Sequence, residues 1–131
     1  MSTLLALALL LGAPQGASAD DSFAARVMQG KLVEAGNTGA AYQKQLWERI
    51  NDPFAAALKA CIVSNTPADK SPFTVVADVS PAGKPGRIDM QPATPVANCL
   101  AASLGKMTLP APPKLPDRAT YPIEIDVSIV P

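Results

Sequence analysis

The chain has 131 residues, 11 basic and 11 acidic side chains, no histidine, two cysteines and 14 prolines. Zero formal net charge without a basic cluster gives no support for nucleic acid or an anionic membrane surface as a partner. The lack of histidine removes the commonest general base, and two cysteines without it fall short of the four N/S ligands of a structural zinc site.

An apolar run from Leu4 to Leu11 is broken by Gly12 and Pro14, and Ala17-Ser18-Ala19 stands before Asp20-Asp21. A short apolar core followed by a small-x-small site is the pattern of a secretory signal peptide. The run is too short for a membrane span, which takes about 20 apolar residues. Met1-Ser2-Thr3 lacks the positive charge usual in such leaders. Cleavage after Ala19 is expected, with the mature chain in the periplasm or secreted and without an integral membrane span.

The prolines divide what remains. Only Pro53 falls between Asp20 and Thr66, whereas twelve lie from Pro67 onward. Residues 20–52 are expected to form an N-terminal helical extension and 53–131 an α+β domain. Ser22 to Ala35 reads as a helix stopped by Gly36-Asn37, with Phe23, Val27, Met28 and Leu32 as a loose apolar stripe. Asn37 or Thr38 can cap a second helix, where Tyr42, Leu46 and Ile50 recur every fourth residue with Trp47 beside them. Asp52-Pro53 predicts a restart, Asp as N-cap and Pro at the first helical position. Phe54, Leu58, Cys61 and Ile62 then share one face.

Phe73 to Ser80 alternates as a strand, with Val76 the apolar exception. Ser80 to Gly86 supplies turn residues, and a second strand is expected over Arg87 to Gln91. Val96 to Met107 reads as a helix with Cys99 on its apolar face. Leu109 to Pro116 can only be extended, because proline excludes helix there. Tyr121, Ile123, Ile125, Val127 and Ile129 face one side of a final strand, and Glu124 and Asp126 face the other, where a solvated surface is expected. Pro122 suits a sheet edge. The order predicts a small antiparallel sheet of about three strands packed by helices.

Several motifs are weighed against chemistry. Cys61 and Cys99 lack CxxC spacing, so a structural disulfide is favoured over a redox pair or a metal site in an oxidising compartment. Ser103-Leu104-Gly105-Lys106 matches S-x-x-K without the companion motifs of acyl-transfer enzymes. Glu124 and Asp126 are the best-placed carboxylate pair. Gly83-Lys84-Pro85-Gly86 is too short for a phosphate loop. Pro110 to Pro116 holds P-x-x-P register, for which a connector is the better reading. No catalytic residue, metal site or cofactor is assigned.

Three places resemble a known family: a cysteine late in the helix before the hairpin (Cys61), the run Val96-Ala97-Asn98-Cys99-Leu100 after it, and Leu109-Pro110-Ala111-Pro112-Pro113 leading to the final strand. Over roughly residues 54–130 the chain resembles TonB C-terminal-like domains, especially the cysteine-containing AgmX/PglI type. It departs from them in placing Tyr121-Pro122 before the last strand, in having Lys70-Ser71-Pro72 before the first, and in lacking a long proline-rich spacer. The resemblance implies the α+β fold, a periplasmic setting and a binding role.

The expectation is therefore a non-enzymatic domain that binds an envelope or periplasmic protein, adding the partner's extended segment to the last strand. Tyr121, Ile123, Ile125, Val127, Ile129 and Trp47 are the candidate partner-binding residues. A small periplasmic enzyme or enzyme inhibitor, and a structural subunit of an envelope complex, are the alternatives.

Overall fold

A computed structural model describes residues 22–130. The leader over 1–19 lies outside the described residues. Three helices and three strands follow in the order α1 (Phe23–Glu34), α2 (Gly39–Ser64), β1 (Phe73–Val79), β2 (Pro85–Gln91), α3 (Pro95–Leu104) and β3 (Tyr121–Val127). The fold is α+β: a three-stranded antiparallel sheet in the order β2-β1-β3, with helices on both faces.

The main core lies between the sheet and the pair α2 and α3. Tyr42, Leu46, Ile50, Phe54 and Cys61 form a stripe along α2, and Val96, Ala97, Leu100 and Leu104 one along α3. Both meet the odd-numbered side chains of β1 and β3, from Phe73 to Val79 and from Tyr121 to Val127. The Tyr42 and Tyr121 rings pack with centroids 4.7 Å apart and planes tilted by 56°, and the Tyr42 hydroxyl donates to the Pro110 carbonyl at 2.9 Å.

α2 corrects one expectation. Two helices were expected either side of Asp52-Pro53, yet Gly39–Ser64 is continuous, with Pro53 inside it. The apolar stripe passes through the proline without losing phase, from Ile50 to Phe54 and on to Cys61. Pro53 sits on the exposed face, so the carbonyl it cannot satisfy, that of Arg49, faces water. The division at 52/53 thus falls within one helix whose two halves enter one core.

The loops are set by local chemistry. Ser22 Oγ accepts from Ala25 N–H at 3.1 Å and Thr94 Oγ1 from Ala97 N–H at 3.0 Å, so both helices begin on capping side chains. Gly83 takes φ +86° in the β1–β2 turn, a conformation that costs a side-chain-bearing residue energy. A Cβ there would also run into the Leu109 carbonyl, while the Gly83 carbonyl accepts from Leu109 N–H at 2.8 Å. This bond fastens the proline-rich crossing to the hairpin. Cys61 and Cys99 form a disulfide with Cα atoms 5.7 Å apart, joining α2 to α3.

α1 corrects two further expectations. It covers the sheet face opposite the main core, which carries Val76, Asp78, Glu124 and Asp126. Glu124 is therefore 7 % exposed instead of solvated. The residues α1 buries are Arg26 and Gly30; of the expected stripe, Phe23 and Val27 are half-buried, whereas Met28 and Leu32 stay exposed at 57 % and 65 %. The cause is the polarity of the face beneath: a helix laid on acidic side chains is held chiefly by its cations and by a close approach, with Val33 adding a half-buried apolar contact. Arg26 Nη2 lies 3.7 Å from Asp78 and donates to the Arg87 carbonyl at 2.6 Å. At Gly30 an added Cβ would come within 2.7 Å of the Glu124 Cβ, so only glycine permits this contact.

Candidate functional site: the outer edge of the third strand

A three-stranded sheet has two edges, and the sequence treats them differently. β2 is irregular. Its register against β1 shifts between Val76↔Asp89 and Asp78↔Gly86, so Arg87 and Ile88 oppose the single residue Ala77. Arg87 takes φ +47°, its carbonyl is held by Arg26, and its guanidinium reaches Asp78 at 3.0 Å. Asp89 Oδ1 accepts from Met90 N–H at 2.8 Å. A bulge, charged side chains and satisfied backbone groups are the devices that protect a sheet edge from further pairing.

β3 has none of these interruptions. It pairs with β1 over seven consecutive positions, from Phe73↔Val127 to Val79↔Tyr121, with no shift. The direction of its backbone groups follows from the hairpin. Ser80 N–H donates to the Lys84 carbonyl, which assigns the even-numbered residues of β1 to β2 and the odd-numbered ones to β3. On β3 the amides of Tyr121, Ile123, Ile125 and Val127 then serve the ladder, and the backbone groups of Pro122, Glu124 and Asp126 point outward. Pro122, which has no N–H to donate, is opposite Asp78 at one of the outward positions. Among the described residues, no backbone hydrogen bond outside the β1 ladder involves β3.

The candidate partner-binding side chains sit mostly in the core. Tyr121 and Ile123 are 2 % exposed, and Ile125 and Val127 6 %. Ile129 is half-buried against the same cluster, just beyond the strand. The outward positions Pro122 and Glu124 are buried as well, with α1 passing Glu124 at Gly30, so the backbone that β3 can present is at its Asp126 end. Trp47 stands apart from this edge: its indole N–H donates to Gln43 Oε1 at 3.2 Å and its ring meets Phe54 edge-on at 5.4 Å, half-buried on α2.

Glu124 and Asp126 were legible as a carboxylate pair, but their partner Lys31 was not, because it lies 93 positions from Glu124. Lys31 Nζ lies 3.4 Å from both Glu124 Oε1 and Asp126 Oδ2. Thr74 Oγ1 donates to Asp126 Oδ1 at 2.8 Å. Burial pushes the Glu124 carboxyl up to about 7, with the hydrogen bond and charge of Asp126 adding to the effect and Lys31 opposing it. Asp126 is held below the ordinary carboxylate range, chiefly by hydrogen bonds from Glu124 and Thr74. The ammonium of Lys31 is raised by the two carboxylates. Glu124 Oε2 is buried without a hydrogen-bond partner. The pair expected to be a solvated face is thus a coupled carboxyl–carboxylate set under the end of α1.

Ser103 and Lys106 do not form a comparable set: Ser103 is half-buried near the end of α3, and Lys106 is exposed beyond it. The chain matches no protein-family model, no curated protein and no solved structure. Among the described residues no helix is long and apolar enough to cross a membrane. The disulfide is compatible with a periplasmic or extracellular location.

Proposed function

We propose that this chain is a secreted or periplasmic, non-enzymatic binding domain that takes an extended segment of an envelope protein as a fourth strand beside β3. The observation that carries this reading is the contrast between the two edges. β2 is bulged, with its Met90 N–H and Arg87 carbonyl occupied, whereas β3 is regular over seven residues; α1 covers it at Pro122 and Glu124, and its outward groups open to solvent at Asp126. Strand addition draws affinity from main-chain hydrogen bonds, so it needs a regular open edge more than exposed side chains. Tyr121, Ile123, Ile125 and Val127 then act by holding the strand straight from within the core.

The resemblance to TonB C-terminal-like domains belongs to this proposal. The element order and the helix-to-helix disulfide support it, and cleavage after Ala19 would deliver the domain to the oxidising compartment the disulfide requires. A displayed library of extended heptapeptides tests the binding mode. Selected binders are expected to slow amide exchange at Asp126; binders that protect only α2 or the β2 edge contradict strand addition.

A further inference from the structure

The pocket at the outer edge of β3 has a chemistry of its own. Lys31, Glu34 and Ala35 from the end of α1 and Glu124 and Asp126 from β3 enclose about 230 Å³. Three carboxyl groups face one ammonium, and the negative end of the α1 dipole adds to them. Glu124 has a side chain only 4 % exposed and an oxygen, Oε2, that no hydrogen bond satisfies. A buried carboxylate oxygen left unpaired is costly unless a proton or a cation reaches it. The ammonium already present is a loose occupant: Lys31 is 53 % exposed and stands 3.4 Å from one oxygen of each carboxylate.

We propose that this pocket selects the partner strand, taking an arginine or lysine side chain in the place that Lys31 occupies in the free protein. The inference rests on the strand-addition reading above. In a strand paired to the exposed end of β3, the residue opposite Asp126 projects its side chain to the same face as Glu124 and Asp126, because side chains of paired residues share a face. A guanidinium suits the site better than an ammonium, since its fork can use two carboxylate oxygens at once. A second copy of this chain is disfavoured as the partner: antiparallel pairing centred on Asp126 would set that carboxylate against its own copy. The groups facing Glu124 are Lys31 and Glu34 from α1 and Asp126 from β3, with Val76 opposite it on β1. The cation binds the ionised form of Glu124, whose carboxyl titrates near 7, so affinity rises with pH across neutrality.

The test uses acetylated heptapeptides of alternating valine and threonine with arginine, glutamine or glutamate at the central position. The arginine peptide is expected to bind at least tenfold more tightly than the glutamine peptide, and the glutamate peptide most weakly. Lys31→Met, which removes the internal competitor, is expected to tighten arginine-peptide binding several-fold. Asp126→Asn, at a side chain 61 % exposed, should abolish the preference without unfolding the chain. Equal binding of the arginine and glutamine peptides, with β3 amides protected by both, overturns the pocket and leaves strand addition standing. Titration with N-acetyl-arginine amide separates the two ideas from the other side. Saturable shifts of the Glu124 and Asp126 carboxyl carbons support the pocket even if no peptide protects β3; no shift in wild type or Lys31→Met overturns it.

Discussion

Glu124 shows how one side chain can set the pH response of a small domain. In the unfolded chain its carboxyl titrates near the ordinary glutamate value of 4.5; in the fold it titrates near 7. Between those values the folded state holds a proton that the unfolded state has released, so stability falls as pH rises through this window. At about 1.4 kcal/mol per pKa unit, the loss between pH 4.5 and 7.5 is of order 3 kcal/mol. Asp126 works in the opposite sense at lower pH: its depressed carboxyl contributes stability above 3.8 that is lost as pH falls through its folded value. Urea melts at pH 5.5 and 8 should show a lower midpoint at pH 8, and Glu124→Gln should remove most of that difference. Gly30 offers a second test at this scale. Gly30→Ala must push α1 off Glu124 and is expected to cost about 1–3 kcal/mol as an overpacked contact. At Gly86 the nearest atom to an added Cβ is the Asp78 carbonyl oxygen at 3.8 Å, so Gly86→Ala should cost much less in the same denaturation assay.

The elements differ in how plainly the sequence announced them. β1, β3 and α3 carry their period and their turn residues in a few adjacent positions, and the structure places them within two or three residues of the expected bounds. The proline-rich crossing followed from the missing amide donors. α2 was misjudged because Asp-Pro is a local start signal, while the continuous burial of Ile50, Phe54 and Cys61 is a tertiary effect that overrides it. Pro53→Ala should return a hydrogen bond to the Arg49 carbonyl and raise stability by about 1–2 kcal/mol, given the roughly 3 kcal/mol cost of proline inside a helix. The same substitution elsewhere in a helix end would gain nothing. α1 was misjudged for a different reason: its inward face is dictated by Asp78, Glu124 and Asp126, which the sequence places far downstream. The candidate site was legible as a strand carrying the Glu124 and Asp126 pair; the pocket that Lys31 completes from 93 positions away was not.

For the whole molecule, the two faces of the sheet are held in different ways. Cys61 and Cys99 tie α2 to α3 across a separation of 38 residues, behind the core face of the sheet. Restricting a loop of that length in the unfolded chain is worth about 4 kcal/mol on chain-entropy grounds. Reduction, or Cys99→Ser, should lower the unfolding free energy by about 2–4 kcal/mol, read by chemical denaturation. Such a staple helps a domain of this size keep a rigid sheet. The opposite face is held by α1 through Arg26, Gly30 and Lys31, contacts of a kind more easily opened than an apolar core. The molecule is thus firm on one face of the sheet and held by polar contacts on the other. Amide hydrogen exchange along β3, in the free protein and with the arginine heptapeptide bound, tests strand addition most directly. The account predicts slow exchange at Ile123, Ile125 and Val127 in both states, and exchange at Asp126 that slows at least tenfold on binding. Unchanged exchange at Asp126 when the peptide is bound would contradict it.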